Sequence, residues 1–173
     1  MKIFDVSEIT GIKKTVITAL LVCIGIVLQI AESMFDIFVV PGGKIGLANI
    51  ATLLGIFIFG GANGTVIAFL RALLGCILYG GVPAIPYSIS GAVLSALCMW
   101  GLKEAFYPRL SCVGISVLGA FVHNASQIAV AAVIFQSAKL FTYLPVLVII
   151  GTLGGILTGV GAKVFLRKTG YKI

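Results

Sequence analysis

Between residues 14 and 166 the sequence is six apolar runs, at about 14–32, 46–61, 64–81, 87–103, 112–136 and 142–166, joined by short polar segments. A helix crossing the ~30 Å hydrocarbon core needs ~20 mostly apolar residues, and in lipid it must satisfy every backbone N–H and C=O within itself. The runs therefore predict an all-α, polytopic integral membrane protein, with six transmembrane helices in a single domain over residues 1–173. The second run is the shortest and is rich in glycine.

Charge usage points the same way. Twelve Lys and Arg and five Asp and Glu, 10% of the chain, are too few to coat a soluble domain of this length. The first run, Thr15 to Ala31, follows Lys13 and Lys14 as the core of a secretory signal would, but it is longer than such a core and further spans follow, so it is read as a retained helix. If six helices alternate, Lys2, Lys13, Lys14, Lys103, Arg109, Lys163, Arg167, Lys168 and Lys172 share one side, Lys44 and Lys139 the other, and Arg71 lies within the membrane. The positive-inside rule then predicts a multi-pass protein of the cell (plasma) membrane with both termini cytoplasmic. The net charge of +7 is thus a topology signal. Without a basic patch interleaved with aromatics, no nucleic-acid partner is expected.

Arg71, in "TVIAFLRALLGCILYGG", raises the main functional question. A charge at the bilayer centre costs at least ~2.5–3.5 kcal/mol, so it faces protein or a water-filled cavity. At 1.5 Å per residue Arg71 lies ~10 Å along its helix and His123 ~16 Å along the fifth, both near the midplane. Helical spacing groups Ala68, Arg71, Gly75 and Leu78 on one face of the third helix, and Ser116, Gly119 or Ala120, His123, Gln127 and Ala131 on the fifth with Asn124 on the shoulder. The second helix adds Gly46, Asn49 and Thr52 or Leu53, and the fourth adds Ser88, Gly91 and Ser95. In the sixth, Gly151, Gly155 and Gly159 form a small-xxx-small row that reads as helix packing.

Two readings of this polar seam stand side by side. In one, Arg71, His123, Asn124 and Gln127 bond one another and hold helices together. In the other they line a ligand site, because interhelical hydrogen bonds in membranes average only ~0.6 kcal/mol, less than an inserted arginine costs. No acid lies in the same helix as Arg71, and the guanidinium fork matches carboxylate or phosphate oxygens. Glu32, at the outer end of the first helix, is the acid that could reach it, and such a pairing weakens the argument for an anionic ligand. The outer segment "ESMFDIFVVPGGK", with Glu32, Asp36, the Pro41-Gly42-Gly43 turn and Lys44, reads either as a cap over the site or as a plain connection.

The absences narrow the chemistry. No GxxxxGK[ST] occurs, so an ATP-driven step would belong to another polypeptide. Asp5 and Asp36 are far apart, and no carboxylate cluster offers itself to Mg²⁺. Cys23, Cys76, Cys98 and Cys112 lack zinc-type spacing and read as small core residues. His123 has no placed carboxylate to orient it, so the chain is not expected to be an enzyme, and no metal or cofactor is expected.

The segments "PGGKIGLANIATLL", "FLRALLGCILYG", "YSISGAVLSALCMW", "GISVLGAFVHNASQIAVAAVI" and "LPVLVIIGTLGGILTG" resemble the membrane family labelled heptaprenyl diphosphate synthase component I, also called the Gx transporter family. The six-helix layout with cytoplasmic termini also resembles the substrate-binding component of energy-coupling-factor vitamin transporters. That resemblance implies a separate membrane coupling protein and ATPase subunits as partners, and a docking patch of small residues on the first helix, for which Ala19-xxx-Cys23 is the nearest match. The expectation is a substrate-binding membrane transport protein whose small-molecule substrate, such as a vitamin or an isoprenoid or quinone precursor, is anionic or carbonyl-bearing. Its site would be Arg71, His123, Asn124, Gln127, Asn49, Lys44, Glu32 and Ser88. The alternative is a non-catalytic membrane subunit that anchors a prenyl diphosphate synthase or quinone-pathway enzyme by its basic face.

Overall fold

A computed structural model describes residues 11–34 and 45–170. They form six α-helices: α1 (Gly11–Met34), α2 (Asn49–Phe59), α3 (Gly61–Gly75), α4 (Ile85–Phe106), α5 (Cys112–Ile134) and α6 (Leu144–Lys168). The all-α prediction holds. Five helical stretches, all but α2, are long and apolar enough to cross a membrane. Their outward faces carry Ile12, Val16, Leu20, Ile24 and Val27 on α1 and Ile149, Leu153, Ile156 and Val160 on α6, all exposed. Large apolar side chains on the outside are what a lipid solvent requires.

The second predicted run holds the shortest helix. With 11 residues, α2 is ~16 Å long, about half the hydrocarbon core. Its partner is α3, which packs antiparallel to it: Gly55 lies against Gly64 and Ile67, and Thr52 opposite Arg71. One residue, Gly60, reverses the chain between them at φ +88°, a conformation open to glycine and strained for other residues. The far end of α2 therefore stops at mid-depth beside Arg71. Residues 45–48 enter it as a turn with Gly46 at φ +90°, and the Ile45 carbonyl rests on Gly154 of α6. Non-helical backbone at this depth is tolerated because it is buried in protein.

The remaining helices pack around this hairpin. Gly155 and Gly159 of α6 meet the α5 backbone at Val117 and Val113, so the small-residue row works as packing. On α4, Ser95 donates to the Gly119 carbonyl of α5 at 2.8 Å. An apolar core built on Leu53, Ile56, Phe57, Ile67, Met99 and Ile115 fills the end near Gly60, where Trp100 covers Gly61. Lys103 closes that end: its Nζ donates to the Ile56 carbonyl at 3.1 Å and lies 5.5 Å from the centre of the Phe57 ring.

One predicted face breaks. Ala68, Arg71 and Gly75 are buried as expected, but Leu78 is exposed. After Gly75 the chain widens into a π-helical turn, Cys76–Gly80, and this change of pitch rotates Leu78 out of the α3 stripe.

Candidate functional site

Each helix from α1 to α5 delivers polar side chains to one small cavity. It is lined by Gln29 and Glu32 of α1, Gly46 and Ala48 at the entry to α2, Asn49 of α2, Arg71 of α3, Ser88 of α4, and His123 and Gln127 of α5. Arg71 lies ~15 Å from the start of α3, halfway along the apolar stretch Gly61–Gly80. Room for these long side chains comes from glycines beneath them: Gly25 under the Arg71 stem, Gly75 under the Gln29 amide and Gly91 under Gln127. A Cβ at any of the three would come within 2.8 Å or less of the side chain above it.

The expected vacancy opposite Arg71 is largely filled from within. Its Nε donates to Thr52 Oγ1 at 3.1 Å and its Nη2 to Asn49 Oδ1 at 2.5 Å. Glu32 acts on it electrostatically, and a Glu32 oxygen also accepts the Leu47 N–H at the entry to α2. The physical reason is the shortness of α2. Because that helix begins beside Arg71, Asn49 and Thr52 of its first turn lie level with the guanidinium, and Glu32 near the end of α1 lines the same place.

Arg71, Asn49, Glu32, Ser88, His123 and Gln127 are thus brought together, all buried. Asn124 is placed elsewhere: its Nδ2 donates to the Leu147 carbonyl of α6 at 3.0 Å, above Gly151, so it ties α5 to α6. Lys44, Asp36 and the Pro41-Gly42-Gly43 turn lie outside the described residues. Sequence reasoning missed Gln29, whose signal was present: a polar residue in an apolar run, one helical turn before Glu32. Ala48 carried no such signal, since nothing in its chemistry marks it.

Among the described residues, Asn49 and Gln127 each bring an atom without a hydrogen-bond partner to this lining. Asn49 Nδ2 and Gln127 Oε1 are both buried and unpaired, in residues only 3% and 2% exposed. Each unmet group of this kind costs ~1–3 kcal/mol. The cavity has about 10 Å³ of room for the centre of a water-sized sphere, which is close to what one water needs. Among the described residues no group of three His, Cys, Asp or Glu is placed to hold a metal ion.

A family model described as heptaprenyl diphosphate synthase component I matches residues 21–165, which include every described lining residue. No curated protein and no solved structure matches the chain.

Proposed function

The chain belongs to the heptaprenyl diphosphate synthase component I family, and from that premise we propose that it is a substrate-binding membrane subunit that takes a small carbonyl-bearing or anionic molecule into the cavity around Arg71 for transport. The observation that carries this reading is that Asn49 and Gln127, each with a buried amide atom left unpaired, line one cavity together with Arg71. Arg71 orients Asn49, and the remaining polar groups set the pose. Small-molecule sites usually occupy ~300–1,000 Å³, so entry of a vitamin-sized ligand requires the helices lining the cavity to separate.

Other features support the same picture. Ala19 and Cys23 lie on the exposed face of α1, where a membrane coupling protein with ATPase subunits could dock. The basic residues Lys13, Lys14, Lys103, Arg109, Lys163, Arg167 and Lys168 sit at helix ends or connections that alternate to one side of the bundle, while Lys139 falls at the other. This supports a cytoplasmic amino terminus and a cavity reached from outside. On this reading the chain binds and does not catalyse.

The family name favours a second reading, a non-catalytic subunit that holds a prenyl diphosphate synthase against the membrane through that basic end. Purification of the full chain in mild detergent separates the two. Transport predicts co-purification of a membrane coupler with ATPase subunits, together with a small molecule released on denaturation. Recovery of a soluble prenyl synthase, with no bound small molecule, overturns it in favour of the anchor.

A further inference from the structure

A second cavity opens on the outside of the bundle, where α4 ends and α5 begins. Leu102 and Phe106 of α4, Arg109 and Leu110 of the connection and Leu118 of α5 line it, with about 400 Å³ of room for the centres of water-sized spheres. Leu102 lies ~6 Å back along α4 from Phe106, and Leu118 ~9 Å along α5 from Cys112. The groove therefore runs from the connection into the membrane-spanning stretches Val82–Phe106 and Cys112–Ile134. Phe106, Leu118 and Arg109 are all exposed. Among the described residues Arg109 makes no ion pair, and the acid nearest in the chain, Glu104, lies outside the lining with its Oε1 3.8 Å from Lys103 Nζ.

We propose that this groove holds one anionic phospholipid from the leaflet on the basic side of the bundle, with an acyl chain against Leu102, Phe106, Leu110 and Leu118 and the headgroup phosphate on Arg109. The site is independent of the cavity around Arg71. Its apolar walls suit a hydrocarbon chain, and the guanidinium fork matches phosphate oxygens. Charge decides the headgroup. Lys13, Lys14, Lys103, Lys163, Arg167 and Lys168 sit at the same end, so a lipid of net negative charge is drawn there and the extra cation of a zwitterionic head is repelled. One guanidinium balances one phosphate. A free diphosphate carries more charge than this lining meets, and among the described residues no carboxylate cluster is placed to bring a metal ion to it. A protein partner fits less well, since five lining residues are few beside the ~20–30 per side of a stable interface.

The test uses the purified full chain, delipidated in detergent, with phosphatidylglycerol and phosphatidylcholine of the same acyl chains as probes. Native mass spectrometry counts the lipid retained, and thermal unfolding across a lipid titration gives an apparent affinity. The unaltered protein is expected to keep one phosphatidylglycerol and to prefer it about fivefold, the factor set by one basic residue near the membrane surface. Arg109→Gln should abolish that preference, Arg109→Lys should keep most of it, and Leu118→Trp, which fills the groove, should weaken both lipids. Equal affinity of the unaltered protein for the two lipids, or a preference that survives Arg109→Gln, overturns the proposal. Tighter binding of farnesyl diphosphate, lost in Arg109→Gln, overturns it in favour of a free prenyl diphosphate. A dimer that Leu118→Trp dissociates overturns it in favour of a second copy of the chain.

Discussion

Around Phe57 the interior is dry, with Leu53, Ile56, Ile67, Met99 and Ile115 packed together. Around Arg71, on the same helices, every described lining side chain longer than alanine is polar. The two regions solve one problem in opposite ways. Near Phe57, backbone groups are met within helices, and close packing supplies the cohesion that the hydrophobic effect cannot supply between helices in lipid. Near Arg71 a half-length helix leaves its first turn at mid-depth, and polar side chains must meet it there. Glycines occur in both regions for different ends: Gly55 and Gly64 let two backbones touch, whereas Gly25, Gly75 and Gly91 make space for Arg71, Gln29 and Gln127. A packed core and a lined cavity can therefore share one bundle without a domain boundary.

Substitutions in the two regions should separate them. The largest loss of stability is expected for Phe57→Ala in the dry region, about 3 kcal/mol, at the low end of the usual range because lipid is as apolar as the side chain removed. Unfolding in mixed micelles measures it, and ligand binding by the folded fraction should persist. Next comes Arg71→Met, expected to cost about 2 kcal/mol, because the loss of two hydrogen bonds from a charged donor is partly offset by removal of a buried charge, and to abolish ligand-induced stabilisation. A variant of unchanged stability that still responds to ligand would remove Arg71 from the site.

Asn124→Ala sharpens the comparison further, because it cuts the bond to the Leu147 carbonyl outside the cavity lining. A loss of about 1 kcal/mol with binding intact is expected, and loss of binding at full stability would place Asn124 in the site after all. The smallest effect on stability belongs to Gln127→Leu. Replacing an unpaired buried amide by an apolar group should leave stability within about 1 kcal/mol of the parent, in either direction, while binding is weakened. A large destabilisation there would mean that Gln127 is cohesive, and the polar region would then be a variant of the packed one.

Much of this contrast is legible in the residues. Helical spacing groups His123 and Gln127 on α5, and the oddity of Arg71 in an apolar run marks it from sequence alone. Asn124 shows the limit. One residue from His123 and equally polar, it turns to α6, and only the position of the Leu147 carbonyl distinguishes the two. Leu78 shows another, since a change of helical pitch after Gly75 is invisible to a rule that assumes constant pitch.

What the sequence determined by itself was the solvent: long apolar runs with few charges commit the chain to helices in lipid, because no other open structure satisfies its backbone there. What the tertiary structure decided was the partner of each polar group. The length of α2, set by Gly60 at one end and the turn at Gly46 at the other, brings Asn49, Thr52 and Glu32 to Arg71 from positions up to 39 residues away in the chain (71 − 32). Hydrogen bonds and charges act over a few ångströms of space, whereas sequence patterns report which side of one helix a residue occupies, not what the neighbouring helix places opposite it.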